Sequence, residues 1–204
     1  MKKTEFFKIS RIILYSGYLL ALSLVFLYDA QPQPGQKFDE SSLTEYFQEG
    51  SFFLTVILFL FYVLKRKTTA ALSILIGGFF LMAFIREFDA VLDRYVFDGA
   101  WQTLAFSVLG LLIFSVYKNA TVLGKTIPSY MVSYPFGMMI SGMLVTFIYS
   151  RLFGESIMWQ TLMEDDYIRS VKNAAEESIE LLGDSLILFS AIEYGVWATK
   201  KEKE

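Results

Sequence analysis

Long apolar runs alternate with short charged stretches along the chain. Ile12–Tyr28 is 17 residues without a charge, Thr68–Ile85 is 18, Gly99–Tyr117 is 19 and Thr126–Ser150 is 25. Ser51–Leu64 adds 14 more, and Leu43, Tyr46 and Phe47 extend it into a polar flank. A helix needs about 20 mainly apolar residues to cross a bilayer, so each run predicts a span or the core of one. Ala174–Lys200 holds a sixth, which differs from the rest because carboxylates enter it. The pattern predicts an all-α polytopic membrane protein, a bundle of six transmembrane helices in a single domain over residues 1–204. The spans are expected at about 12–28, 43–64, 68–94, 100–117, 130–150 and 178–198.

Local signals sharpen these limits. Ser42-Leu43-Thr44-Glu45 has capping-box spacing and predicts a helix start. Gln31-Pro32-Gln33-Pro34-Gly35 predicts a turn or extended segment before it. Arg86–Arg94 contains no breaker, so the third helix is expected to run through it. Pro128 and Pro135 fit the start or first turn of the fifth span. Ile157, Met158, Trp159 and Leu162 predict an interfacial helix within 155–172, anchored by Trp159. Tyr28-Asp29-Ala30 puts a bulky residue three before any cleavage point, which argues for a retained first span rather than a signal peptide.

Composition narrows the chemistry. Charged residues are 19% of the chain, against about 25% in soluble domains. There is no Cys and no His, which excludes thiolate chemistry, imidazole-built zinc sites and a Ser-His-Asp triad. The net charge of −3 comes without a basic block long enough to argue for nucleic acid, which is not an expected partner.

Charge also predicts orientation. Of the 18 Lys and Arg residues, 12 fall on the side of the two termini, in the N-terminal arm, at Lys65-Arg66-Lys67, at Lys118 and Lys125, and in the tail. The positive-inside rule then puts both termini in the cytoplasm, and a bacterial-type inner (plasma) membrane is the expected location. Most acidic residues fall on the opposite side.

The candidate site lies there. Glu176, Glu177, Glu180 and Asp184 occupy one narrow sector of the last helix, which Ile187, Ala191 and Tyr194 continue. An ionised Asp near a bilayer centre costs about 2.5–3.5 kcal/mol on insertion scales, so it needs a partner, a proton or a wet cavity. Arg86 at the end of the third span is the expected partner of Asp184 or Glu180. Asp89, Asp93 and Tyr167 are the other expected binding groups. Glu176, Glu180 and Asp184 are the expected ligands of a divalent cation such as Mg²⁺ or Ca²⁺, because oxygen-only sets suit hard cations.

Three functions are compatible with this pattern. The first is transport or binding of a cation or small polar solute at an acidic site open to the extracytoplasmic side. The second is a membrane-embedded hydrolase or transferase, with Asp184 as catalytic acid or base. Gly183-Asp184 resembles the tail of the GxGD motif of intramembrane aspartyl proteases, which would imply Asp89 as its dyad partner; Leu181 stands where the first Gly of that motif would be. The third is a non-catalytic assembly or partner-binding protein whose charges only hold helices together. Ser133, Gly137 and Ser141 repeat every four residues, a small-residue stripe suited to helix packing or to an oligomer. No inverted repeat is evident, since charge lies at the end of span three but at the start of span six.

Overall fold

A computed structural model describes residues 3–31, 38 and 42–203. The expected Pro-rich turn, beyond Gln31, lies outside the described residues. Within them the chain is helical, with no strand. The helices are α1 (Lys3–Asp29), α2 (Leu43–Lys65), α3 (Ala70–Glu87), α4 (Asp89–Tyr95), α5 (Ala100–Lys118) and α6 (Ala120–Met131). They continue with α7 (Tyr134–Leu144), α8 (Ser150–Gly154), α9 (Ser156–Met163) and α10 (Arg169–Lys201). A π-helical segment, Val145–Tyr149, joins α7 to α8.

Five stretches are long and apolar enough to cross a membrane: Phe6–Asp29, Leu43–Lys65, Lys67–Glu87, Ala100–Lys118 and Tyr134–Gly154. Their surfaces fit lipid rather than water. Leu14, Leu20, Leu24, Leu111, Phe114 and Tyr117 are all more than 60% exposed, whereas Thr44, Thr55, Ser73 and Ser150 are fully buried. Polar groups turned inward and large apolar groups turned outward invert the soluble pattern, as a hydrocarbon solvent requires.

Several limits differ from the sequence expectation. The third helix stops at Glu87, because the chain tightens at Phe88, whose N–H reaches Ile85 O at 3.2 Å, and α4 then starts separately. The stretch around Lys125 is helical, in α6, and the following span begins at Tyr134, with Pro135 in its first turn, where a missing N–H costs nothing. The expected helix over 155–172 is cut after Met163. Glu164 has φ +49°, outside helical space, and a 3₁₀ turn over Glu164–Asp166 precedes α10.

The chain divides into two compact units, neither continuous in sequence. One comprises Met1–Gln48 and Gly142–Ser185. In it, α2 is capped twice: Ser42 Oγ accepts from Glu45 N–H at 3.2 Å, as the capping box predicts, and the carboxylate of Asp29 accepts from Leu43 and Thr44. Leu19, Leu22, Phe26 and Leu27 of α1, with Ser178, Leu181 and Leu182 of α10, line an apolar cavity of about 380 Å³.

The second unit comprises Glu49–Ser141 and Leu186–Glu204. Its core is aromatic and gathers on the last half of α10. Ile187, Ala191, Tyr194 and Ala198 are at most 1% exposed and recur at helical spacing. The Tyr194 ring lies 4.9 Å from Phe59 and 5.4 Å from both Tyr130 and Trp197, centroid to centroid. Its hydroxyl lies 2.9 Å from Ser73 Oγ, and Tyr62 donates its own to Ala191 O at 3.1 Å. Gly195 gives Tyr62 room, since a Cβ there would collide with the phenol.

Candidate functional site

The site belongs to the first unit and is built on the N-terminal half of α10. Glu, Leu, Ile and Ala are good helix formers, and α10 continues through Gly183. Gly183 is needed there for closeness. A Cβ would strike Thr146 Oγ1, Thr146 N and Gly142 O, so the backbone of α10 lies directly against the 142–146 segment. This packing accounts for a glycine at position 183.

That contact brings two hydroxyls to the carboxylates. Thr146, in the π-helical segment, donates its Oγ1–H to Asp184 Oδ1 at 2.8 Å, and Asp184 is only 2% exposed. One turn on, Ser150 Oγ lies 3.0 Å from Glu180 Oε1 and 2.6 Å from Thr146 O. Cationic groups follow toward the start of α10. Arg151 of α8 meets Glu180 at 3.0 Å and Glu176 at 3.6 Å, and Lys172 meets Glu176 at 3.1 Å. Gly154 makes this possible, because a Cβ there would overlap the Glu176 carboxylate. The result is a line of oxygen donors from the half-exposed Arg151 to the buried Asp184.

Glu177 points elsewhere. Gln48 Nε2 donates to its Oε2 at 2.9 Å and to its backbone O at 3.1 Å. Burial pushes the Glu177 carboxyl up to about 8; the negative charges of Glu45, Glu180 and Glu176 add to the rise and the Gln48 amide opposes it.

Arg86 is exposed at the end of α3, in the second unit, while Glu180 takes Arg151 as a basic partner. Asp89 is exposed and accepts from Ala90 N–H. Asp93 caps α5, accepting from Gly99 and Ala100 N–H at 3.1 Å each. Tyr167 is half-buried and closes the 3₁₀ turn through its N–H. Glu176, Glu180 and Asp184 do not form the expected divalent cage, and among the described residues no three carboxylates gather as a metal-binding group. The reason is spacing: at 1.5 Å per residue, positions 176 and 184 are about 12 Å apart along the axis.

Thr146, Ser150, Arg151, Lys172 and Gln48 were not anticipated. Thr146 and Ser150 carry a readable signal, an i, i+4 hydroxyl pair ending an apolar run just before an arginine. Of the Ser133, Gly137 and Ser141 stripe, Gly137 has open space around it and Ser141 bonds back to Gly137 O. Trp159 is tied by its indole N–H to Phe153 O at 2.6 Å. No protein-family model, curated protein or solved structure matches this chain.

Proposed function

We propose that the chain is a six-span membrane protein with both termini cytoplasmic, whose acidic line on α10 takes up a small cation or polar solute from the extracytoplasmic side. The Lys and Arg bias supports the orientation, and α10 supplies the sixth span over about 178–198. The observation that carries the reading is Asp184, buried at the inner end of a continuous series of carboxylate and hydroxyl oxygens. Such a residue at membrane depth is a default functional candidate. The spread of the carboxylates favours a monovalent cation over Mg²⁺ or Ca²⁺, since no three converge.

The test is thermal stability of the purified chain in nanodiscs, titrated with Na⁺, K⁺ or Mg²⁺ at ionic strength fixed with choline. A ligand that binds only the folded state raises the midpoint by mass action. Wild type is expected to respond to a monovalent ion, and Asp184→Asn to lose the response. No response to any ion in wild type would sink the proposal.

A second reading has its own support. Each of Glu176, Glu177, Glu180 and Asp184 has a hydrogen-bond or ion-pair partner, which is what a helix lock without transport requires. In that case no ion shifts the midpoint, yet Arg151→Gln lowers it.

A further inference from the structure

The apolar cavity between α1 and the start of α10, both in the first unit, is a groove with a buried floor. Leu22 and Leu181 form that floor, 3% and 5% exposed, and Leu27 and Leu182 form a rim, 57% and 44% exposed. Leu27 shares a helix face with Leu20 and Leu24, which are exposed as well, so the groove opens onto the outward surface of α1. The α1 wall belongs to a stretch apolar enough to cross a membrane, and that surface therefore meets acyl chains. Phe26 holds part of the wall in place. Its ring lies 4.7 Å from that of Phe38, whose carbonyl accepts from Asn173 Nδ2 at 3.2 Å.

The polar inventory decides what fills the groove. Among the described residues that line it, Ser23 and Ser178 alone carry polar side chains. Each uses its hydroxyl proton within its own helix, Ser23 on Leu19 O and Ser178 on Ala175 O, at 2.9 Å each. A buried water needs about 2–4 polar partners, and a polar solute needs groups aimed at it; the groove offers neither. An empty groove forfeits dispersion contacts along both helices. About 150 Å³ of apolar cavity is enough for benzene, so 380 Å³ takes an alkyl segment of roughly ten to fifteen carbons. From Leu19 to Leu27 the α1 wall is about 12 Å long, which suits a chain better than a compact molecule.

We propose that this groove seats one acyl chain of a bilayer phospholipid, on the side of α10 away from its carboxylates. At about 100° per residue, the mean direction of Ser178, Leu181 and Leu182 is about 170° from that of Glu176, Glu180 and Gly183. The chain packs α10 from behind, while Gly183 meets the 142–146 segment in front. The seat requires α10 to lie in the membrane, as in the six-span reading, but not that it take up a cation.

The full-length protein is placed in phosphatidylcholine nanodiscs with a trace of phosphatidylcholine that carries a diazirine on one acyl chain. After irradiation, adducts are mapped by mass spectrometry of its peptides. They are expected on Leu22 and Leu181, which a chain in the bulk bilayer cannot reach, and on exposed Leu111 and Phe114 of α5. Ser178→Trp puts an indole into the groove and is expected to abolish the adducts at Leu22 and Leu181, leaving those on α5 unchanged. Should Ser178→Trp not fold, Ser23→Trp fills the groove from α1 and decides in its place. Label on Leu182 but on neither floor residue overturns the seat and leaves α10 in the membrane. Label on α5 but on none of Leu22, Leu181 and Leu182 overturns the seat and the sixth span together. Floor adducts that persist in the filled variant overturn the seat, and so does a dimer in native mass spectrometry with the floor unlabelled, which would put a second copy in the groove.

Discussion

The carboxylate of Asp29 accepts both hydrogens that Thr44 offers, its N–H and its Oγ1–H, each at 2.7 Å. Asp29 ends α1 and Thr44 lies in the first turn of α2, and the pair is buried, with Thr44 fully inaccessible. The carboxylate therefore closes the connection between two helices and caps the second. A helix cap contributes about 0.5–2 kcal/mol, and an unsatisfied buried hydroxyl costs about 1–3 kcal/mol. Asp29→Ala is expected to lower stability by about 2 kcal/mol, and Thr44→Val by less. A denaturation double-mutant cycle checks this; strict additivity of the two changes would show that the contact carries no energy.

Asp184 and Thr146 make an asymmetric prediction. Asp184→Asn retains the oxygen that Thr146 donates to, so its effect on stability is expected to be small, under about 1 kcal/mol. Thr146→Val takes a donor from a buried carboxylate and is expected to cost about 1–3 kcal/mol. Adding Asp184→Asn to Thr146→Val should recover part of that loss. Unfolding measurements on the three variants check it, and equal losses for the two single changes would contradict the arrangement.

How much of this was legible in the sequence differs by element. The apolar runs fixed the helices well where charges bound them closely, as at Lys65 and Lys118, because the period and the charge limits agree. The face Ile187, Ala191, Tyr194 was readable for the same reason and is buried, although Leu188, Phe189 and Ser190 beside it are buried as well. The break at Phe88 was not readable, since nothing in Arg86–Arg94 disfavours a helix and Asp93 is drawn instead to the N–H groups of Gly99 and Ala100. The carboxylates of the candidate site were found from their sector on one helix. Their partners were not, because Thr146, Ser150 and Arg151 meet α10 through the close approaches at Gly183 and Gly154, which are tertiary contacts. Asp29 was missed in the same way, as its partner lies 15 residues along the chain.

The glycines of the membrane segments are expected to separate sharply under substitution by alanine. At Gly183 a Cβ meets backbone atoms of the 142–146 segment, which cannot move aside, so Gly183→Ala is expected to cost about 1–3 kcal/mol from overpacking. At Gly154 the Cβ meets only the end of the Glu176 side chain, which can swing away; stability should fall little, while the contact of Glu176 with Arg151 is lost. At Gly137 nothing lies within reach, and alanine should stabilise by up to about 1 kcal/mol through helix propensity. Thermal midpoints of the three variants test this order, and a neutral Gly183→Ala would show that the helices are not in contact there.

Glu177 predicts the pH dependence. It lies outside the five stretches that are long and apolar enough to cross a membrane, and its carboxyl is held at about 8, above the ordinary 4.5, chiefly by burial. In this window the folded chain keeps a proton that the unfolded chain has released. The number of protons bound is then larger in the folded state, so stability falls as pH rises from about 4.5 to about 8 and levels off above it. Gln at this position mimics the protonated form and should flatten the slope, leaving Glu177→Gln more stable than wild type at alkaline pH and equal to it in acid. Melting curves of the two proteins across that range check the sign: a wild type that gains stability toward pH 8, or a Glu177→Gln variant with the same slope as wild type, would show that Glu177 is ionised in the folded chain and that another group sets the dependence.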